Sequence, residues 1–146
     1  LLEVQEGKAN RLAGEAGEGK MKKILVIDDD KMVLLTLKRL LTKEGYRVIP
    51  AKSGVEALQS LKEIGFECDL ILSDLKMPNM NGIEAIQEIR KKVAELYKNP
   101  IPEIVITGYA KEEIYQEALE LKASAYLDKP FNMKPLLETI YNIIGK

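Results

Sequence analysis

From Met21 onward, apolar positions along the chain alternate between two spacings. Lys22 to Ile27 is a short β-branched run ending in Asp28-Asp29-Asp30, and it predicts a first strand. Val33, Leu34, Leu37, Leu40 and Leu41 then fall on one helical face, and Gly45 ends that helix. Tyr46 to Ala51 predicts a second strand. Ser53 with Glu56 three residues on is a capping box, opening a helix with Val55, Leu58 and Leu61 inward. Cys68 to Asp74 is an apolar run of the buried-strand type, and the turn-rich stretch Pro78-Asn79-Met80-Asn81-Gly82 follows shortly after. Asn81 and Glu84 begin a third helix carrying Ile83, Ile86, Val93 and Leu96. Pro100 and Pro102 lead into a strand over Glu103 to Thr107. A fourth helix is expected over roughly Lys111 to Leu121, with Glu112 and Glu113 favourably placed in its first turn. Ser124 to Asp128 reads as the last strand, and Leu136, Leu137, Ile140, Ile143 and Ile144 form the inner face of the closing helix.

Strand-then-helix units in unbroken succession imply an α/β fold, a doubly wound parallel sheet with helices on both faces. Right-handed crossovers leave few arrangements of five such units; the common one is the flavodoxin-like (βα)5 sheet with strand order 2-1-3-4-5. That order makes strands one and three neighbours and brings Asp28 and Asp29 beside Asp74. Ligands of open parallel sheets bind at the carboxyl ends of the strands, where all three acids sit. Residues 1–20 differ in character, with Gly7, Gly14, Gly17 and Gly19, several charges and few large apolar side chains. They read as a flexible linker, a tag or a short helical extension before a domain over 21–146.

The absence of histidine removes a zinc site of the usual kind, a Ser-His-Asp triad and an imidazole base. The net charge of −1 gives no electrostatic reason to expect nucleic-acid binding. Neither a membrane-length apolar stretch nor a secretory h-region is visible, and the single cysteine, Cys68, fits a cytoplasmic setting as a small hydrophobe at a strand start. The remaining chemistry belongs to carboxylates, hydroxyls, lysines and a hard metal.

Asp28, Asp29, Asp74, Thr107 and Lys129 collect at the ends of strands one, three, four and five. Carboxylates packed this closely repel one another, and a divalent cation relieves the repulsion. Mg²⁺ suits the all-oxygen donor set, with Mn²⁺ able to substitute. Lys129 adds a second positive charge and Thr107 a hydroxyl donor, so the set reads as a phosphoryl-transfer site with a carboxylate nucleophile. Taken singly, each residue has a plainer reading: Asp30 caps the next helix, Thr107-Gly108 makes a turn, Lys129-Pro130 bends a loop.

Residues 21–146 resemble the receiver domain of two-component response regulators. The matching pieces are Ile24-Leu25-Val26-Ile27-Asp28-Asp29-Asp30, Asp69-Leu70-Ile71-Leu72-Ser73-Asp74-Leu75-Lys76-Met77-Pro78, Val105-Ile106-Thr107-Gly108 and Tyr126-Leu127-Asp128-Lys129-Pro130-Phe131. The resemblance implies that Asp74 is the phosphoacceptor, that Asp29 coordinates Mg²⁺ directly and Asp28 mainly through water, and that the Lys76 carbonyl completes the protein's ligands. It implies that Thr107 and Tyr126 are a switch pair and Lys129 the phosphate-binding lysine, followed by a cis bond to Pro130. The partners it implies are a sensor histidine kinase or phosphotransfer protein and a downstream protein target, with the surface of helix four, strand five and helix five as the part that changes. It implies a signalling receiver that catalyses only its own phosphorylation and dephosphorylation.

Lys76, and Tyr109 two residues after Thr107, are expected to border the path of a hydrolytic water. Dimerisation through the last two helices is compatible with the sequence, and nothing in their charges decides it. Neither a stand-alone receiver nor the terminal receiver of a hybrid kinase is favoured by the residues themselves. Three rivals stand beside this reading. A haloacid-dehalogenase-type hydrolase would use Asp28 of Asp28-Asp29-Asp30 as nucleophile, but Lys31-Met32 follows where a small hydroxyl residue is expected. A flavin module would need a glycine- and hydroxyl-rich phosphate loop where three acids stand. A receiver-like interaction module that is never phosphorylated is the third.

Overall fold

The computed structural model describes residues 21–75, 82–107, 119–128 and 132–145, with Thr107 described in its backbone. The strands are β1 (Lys23–Ile27), β2 (Arg47–Ala51), β3 (Leu70–Asp74), β4 (Glu103–Thr107) and β5 (Ala125–Asp128). The helices are α1 (Lys31–Lys43), α2 (Gly54–Glu63), α3 (Gly82–Glu95), α4, described at residues 119–121, and α5 (Met133–Ile144). All four strand pairings are parallel and the order is β2-β1-β3-β4-β5, the 2-1-3-4-5 order expected from the sequence.

β3 lies in the middle and is buried at every position, because a parallel sheet covered on both faces offers it no solvent side. Pro50, which lacks an N–H, is tolerated because β2 is an edge strand. One face of the sheet packs Ile24, Val26, Leu70, Leu72, Ile104 and Ile106 against Leu34, Leu37 and Leu41 of α1 and Leu136 and Ile140 of α5. The other packs Leu25, Ile27 and Ile71 against Ala57 and Leu61 of α2 and Ala85, Ile89 and Val93 of α3. Each large side chain so buried contributes about 1.5–3 kcal/mol.

Local signals act mostly as expected. The Asp30 carboxylate caps α1, accepting the amides of Met32 at 2.9 Å and Val33 at 3.3 Å. Ser53 caps α2 by accepting the Glu56 amide at 3.1 Å, but the reciprocal half differs: the Glu56 carboxylate takes the Lys52 amide, one residue before the cap. The expected inward positions Val55 and Leu96 are corrected, since both side chains are exposed. α2 starts at Gly54, so its inner face runs through 54, 57, 58 and 61; Leu96 follows the last residue of α3 and leaves its stripe. Strand one starts at Lys23, strand two at Arg47 and strand five at Ala125, each one residue later than the apolar pattern suggested.

Tyr46, just before β2, is buried under α1 and α5 and donates its hydroxyl to the Gly145 carbonyl at 3.0 Å. Burial pushes its phenol pKa up from 10.0, assisted by Glu44 and Tyr141. A raised folded pKa means the phenol's contribution is complete below the unfolded value and declines as pH rises through the folded one. Tyr46→Phe should therefore cost about 1 kcal/mol at neutral pH and flatten the loss of stability above pH 10. Urea titrations of both proteins at neutral and alkaline pH check this; parallel curves would refute it.

Candidate functional site

The site lies where β1 and β3 end. Their register pairs Ile27 with Ser73, so one residue on, Asp28 and Asp74 stand side by side. Asp28, Asp29 and Asp74 each offer a carboxylate oxygen within 4.8 Å of the others. Asp28 is 2% and Asp74 7% exposed, while Asp29 is open to solvent. Among the described residues this is the one such acidic grouping. Two buried acids and one exposed one form a cup that opens to solvent on the Asp29 side.

The backbone beneath the cup is pinned. The Asp28 amide donates to the Ala51 carbonyl at 3.1 Å, and one Asp28 carboxylate oxygen accepts the Asp30 amide at 2.9 Å. Asp74 pairs in register with Ile106, and the next amide, Leu75, donates to the Ile106 carbonyl at 3.0 Å. The fully buried Ser73 hydroxyl donates to the Asp74 carbonyl at 3.0 Å, and the Gly82 amide donates to the Leu75 carbonyl at 2.9 Å. The first residue of α3 is thereby tied to the end of β3, and the Asp74 carboxylate is held by a backbone with little room to move. In the sequence Ser73 and Gly82 stand only as parts of the stretch around Asp74. Their positioning role depends on contacts between elements, and sequence spacing does not carry it.

Oxygen-only donors with two or three negative charges match what Mg²⁺ or Mn²⁺ takes, leaving coordination positions for water or phosphate. Asp28, Asp29 and Asp74 are thus consistent with a metal site of the kind receivers use. β4 ends at Thr107, opposite Asp128 of β5, on the same sheet edge. The Thr107 side chain, Lys76, Tyr109, Lys129, the Lys129–Pro130 bond, residues 1–20 and most of the expected fourth helix lie outside the described residues.

Tyr126 sits on β5 opposite Val105, partly buried against Leu75, Ile83, Ile86 and Leu121. Its hydroxyl accepts the Ala123 amide at 2.9 Å. The phenol therefore leans toward the amino end of β5, away from the acids. Across the sheet, Cys68 donates its thiol to the Leu70 carbonyl at 3.3 Å, and burial pushes that thiol's pKa up, in keeping with a packing role. Among the described residues no helix is long and apolar enough to cross a membrane.

Comparison with known proteins agrees with this geometry. Residues 24–141 match the model of the response regulator receiver domain. The chain is 35% identical over 133 residues to the chemotaxis protein CheY of Treponema pallidum, covering 90% of this chain and 89% of that protein. It is 33% identical over 139 residues to the sensor kinase CckA of Brucella abortus, covering 95% of this chain but 14% of the kinase. Among solved structures, a response regulator receiver domain protein from Clostridium thermocellum superposes with a TM-score of 0.74 at 32% identity, over 85% of this chain and 94% of that one. The parallel 2-1-3-4-5 sheet, the acidic cup at its carboxyl edge and these matches together make the chain a member of the response regulator receiver domain family, the CheY-like receivers of two-component signalling.

Proposed function

We propose that Asp74 accepts a phosphoryl group from a phosphohistidine on a partner sensor kinase or phosphotransfer protein. The observation that carries the reading is the cup itself: a buried carboxylate at the end of the central strand, with two further carboxylate oxygens within 4.8 Å. This chain has no histidine, so the donor imidazole belongs to another segment or another protein. An Asp74 carboxylate oxygen attacks phosphorus and forms the O–P bond of an acyl phosphate. The N–P bond breaks, and its electron pair leaves with the imidazole.

Asp28, Asp29 and Asp74, with the Lys76 carbonyl, are the residues assigned to Mg²⁺. When bound, the ion neutralises charge on the transferring phosphoryl oxygens. Asp29, the exposed member, is suited to direct contact, and Asp28, whose carboxylate already takes the Asp30 amide, to contact through water. Lys129 is assigned to the phosphoryl oxygens and Thr107 to donate its hydroxyl to one of them. Thr107 and Tyr126 are assigned as the switch pair, with the α4–β5–α5 surface presented to a downstream protein. The receiver is assigned to 21–146, and residues 1–20 to a flexible linker, a tag or a short helical extension.

The chain spans most of its CheY relative but 14% of its kinase relative. Incubation with acetyl phosphate and Mg²⁺ should add about 80 Da to the wild type and nothing to Asp74→Asn. Label persisting in Asp74→Asn but lost in Asp28→Asn would point to the hydrolase reading instead. Absence of label in every form would favour an interaction module that is never phosphorylated.

A further inference from the structure

Arg90 on α3 and Glu103, the first residue of β4, form a bidentate ion pair, with Nε to Oε2 at 2.8 Å and a terminal nitrogen to Oε1 at 2.6 Å. Glu103 is 4% exposed, so this charge has been taken out of water deep in the sheet edge. The pair lies at the amino end of the strands, remote from the acidic cup, and the phosphoryl chemistry makes no use of it. The Arg90 side chain is 39% exposed, so the pair is half-buried, and such a pair contributes little net stability. Its bidentate geometry, joining α3 to β4, points to a positional role.

The geometry shows what it touches. Glu103, Val105 and Thr107 share one face of β4, and Val105 pairs with Tyr126. Glu103 and Tyr126 are therefore diagonal neighbours across the β4–β5 pair, within reach for side chains of this length. The phenol leans along that diagonal toward Ala123, whose amide it accepts at 2.9 Å. The adjacent Ser124 hydroxyl accepts the Glu103 amide at 3.3 Å. Ile83 and Ile86, on the helix that carries Arg90, belong to the apolar cluster against which Tyr126 packs. Hydrogen bonding to Glu103 pushes the Arg90 guanidinium pKa up, against the opposing effect of burial, and the charge of Glu103 and the Tyr126 phenol act in the same upward direction.

We propose that Arg90 and Glu103 are positioning residues for Tyr126: the pair ties α3 to the start of β4 and thereby holds the Tyr126 ring with its hydroxyl at the base of β5, away from Asp74. This rests on the assignment of Tyr126 to the switch pair. The pair is then a latch on the resting arrangement, and phosphorylation at the far edge of the sheet works against it. Weakening the latch shifts the resting population toward the other arrangement before any phosphoryl group arrives.

Amide hydrogen exchange of the full chain tests this at one atom, because Tyr126 Oη is the acceptor of the Ala123 N–H. Tyr126→Phe should speed Ala123 exchange roughly tenfold. The double variant Arg90→Met/Glu103→Met removes both charges together and so keeps the fold. It too should speed Ala123 exchange about tenfold, with Leu25 and Leu72 in the central strands unchanged. Added to Tyr126→Phe, the double substitution should do nothing further to Ala123, as a cycle acting through the ring requires. Wild-type protection of Ala123 in the double variant overturns the proposal, and so does an equal further loss in the Phe background. Beryllofluoride with Mg²⁺ separates the underlying reading: it should speed Ala123 exchange in the wild type. If it leaves Ala123 unchanged while the cycle holds, the switch role of Tyr126 falls and the hold of the ion pair on its ring stands.

Discussion

Replacing Asp28 by asparagine should raise the stability of the metal-free chain and abolish its response to Mg²⁺. Two of the three acids are almost fully buried and all three carboxylates approach within 4.8 Å. At an effective dielectric near 20, a pair of like charges at that separation repels by on the order of 3 kcal/mol, an upper bound that neighbouring dipoles reduce. The amide has nearly the same shape and its oxygen still accepts the Asp30 amide, so little is lost in exchange. A gain of about 1–2 kcal/mol is expected. With the metal the order reverses. A ligand at a hundred times its Kd stabilises the folded state by about 2.7 kcal/mol, and the variant, short of one carboxylate, forfeits most of it. Urea midpoints with and without MgCl₂ read both effects. An unchanged Mg²⁺ shift in Asp28→Asn would show that the ion, if it binds, binds elsewhere.

The largest loss of stability is expected from adding a single methyl group at Gly82. A Cβ there would fall inside the contact shell of the Asp74 carbonyl oxygen, 3.1 Å from the Asp74 carbonyl carbon and 3.0 Å from the Ser73 hydroxyl. The obstacle is backbone in the central strand, and the Gly82 amide is already bonded to the Leu75 carbonyl at 2.9 Å, so neither side can withdraw without breaking the tie. Gly82→Ala should cost about 2–4 kcal/mol and slow labelling by acetyl phosphate, because the displaced carbonyl belongs to the proposed acceptor. Gly45 is the control. It has a φ of +97° and open space around a would-be Cβ. Its alanine variant should lose only the backbone term of about 1–2 kcal/mol, with labelling intact. Should denaturation rank the two variants the other way, or acetyl phosphate label Gly82→Ala at the wild-type rate, the close packing of α3 on β3 would not control the acceptor.

The acidic cup was legible because it needs only strand ends and strand order. Asp28 and Asp74 each close an apolar run, and right-handed crossovers allow few ways to arrange five such runs. Where the reading slipped, it slipped on faces. Val55 is apolar and follows a cap, but the inner face of α2 runs through Gly54, Ala57, Leu58 and Leu61, and position 55 lies off it. Leu96 continues the periodicity of α3 in sequence, yet the helix has ended. Apolar type predicts burial only on average; the angle at which a helix leaves its cap decides each side chain.

The residues around Asp74 and Tyr126 divide along the same line. Spacing and residue type by themselves determined the alternating elements, the parallel sheet, its order, and the gathering of three carboxylates at one edge, since these follow from hydrophobic periodicity and chain handedness. Only the tertiary structure decided that Gly82 lies against the acceptor's own carbonyl, that Arg90 and Glu103 meet across thirteen residues of sequence, and that the Tyr126 phenol leans away from the acids. Those contacts join separate elements through packing distances of a few ångströms, and no local pattern in a chain records such distances.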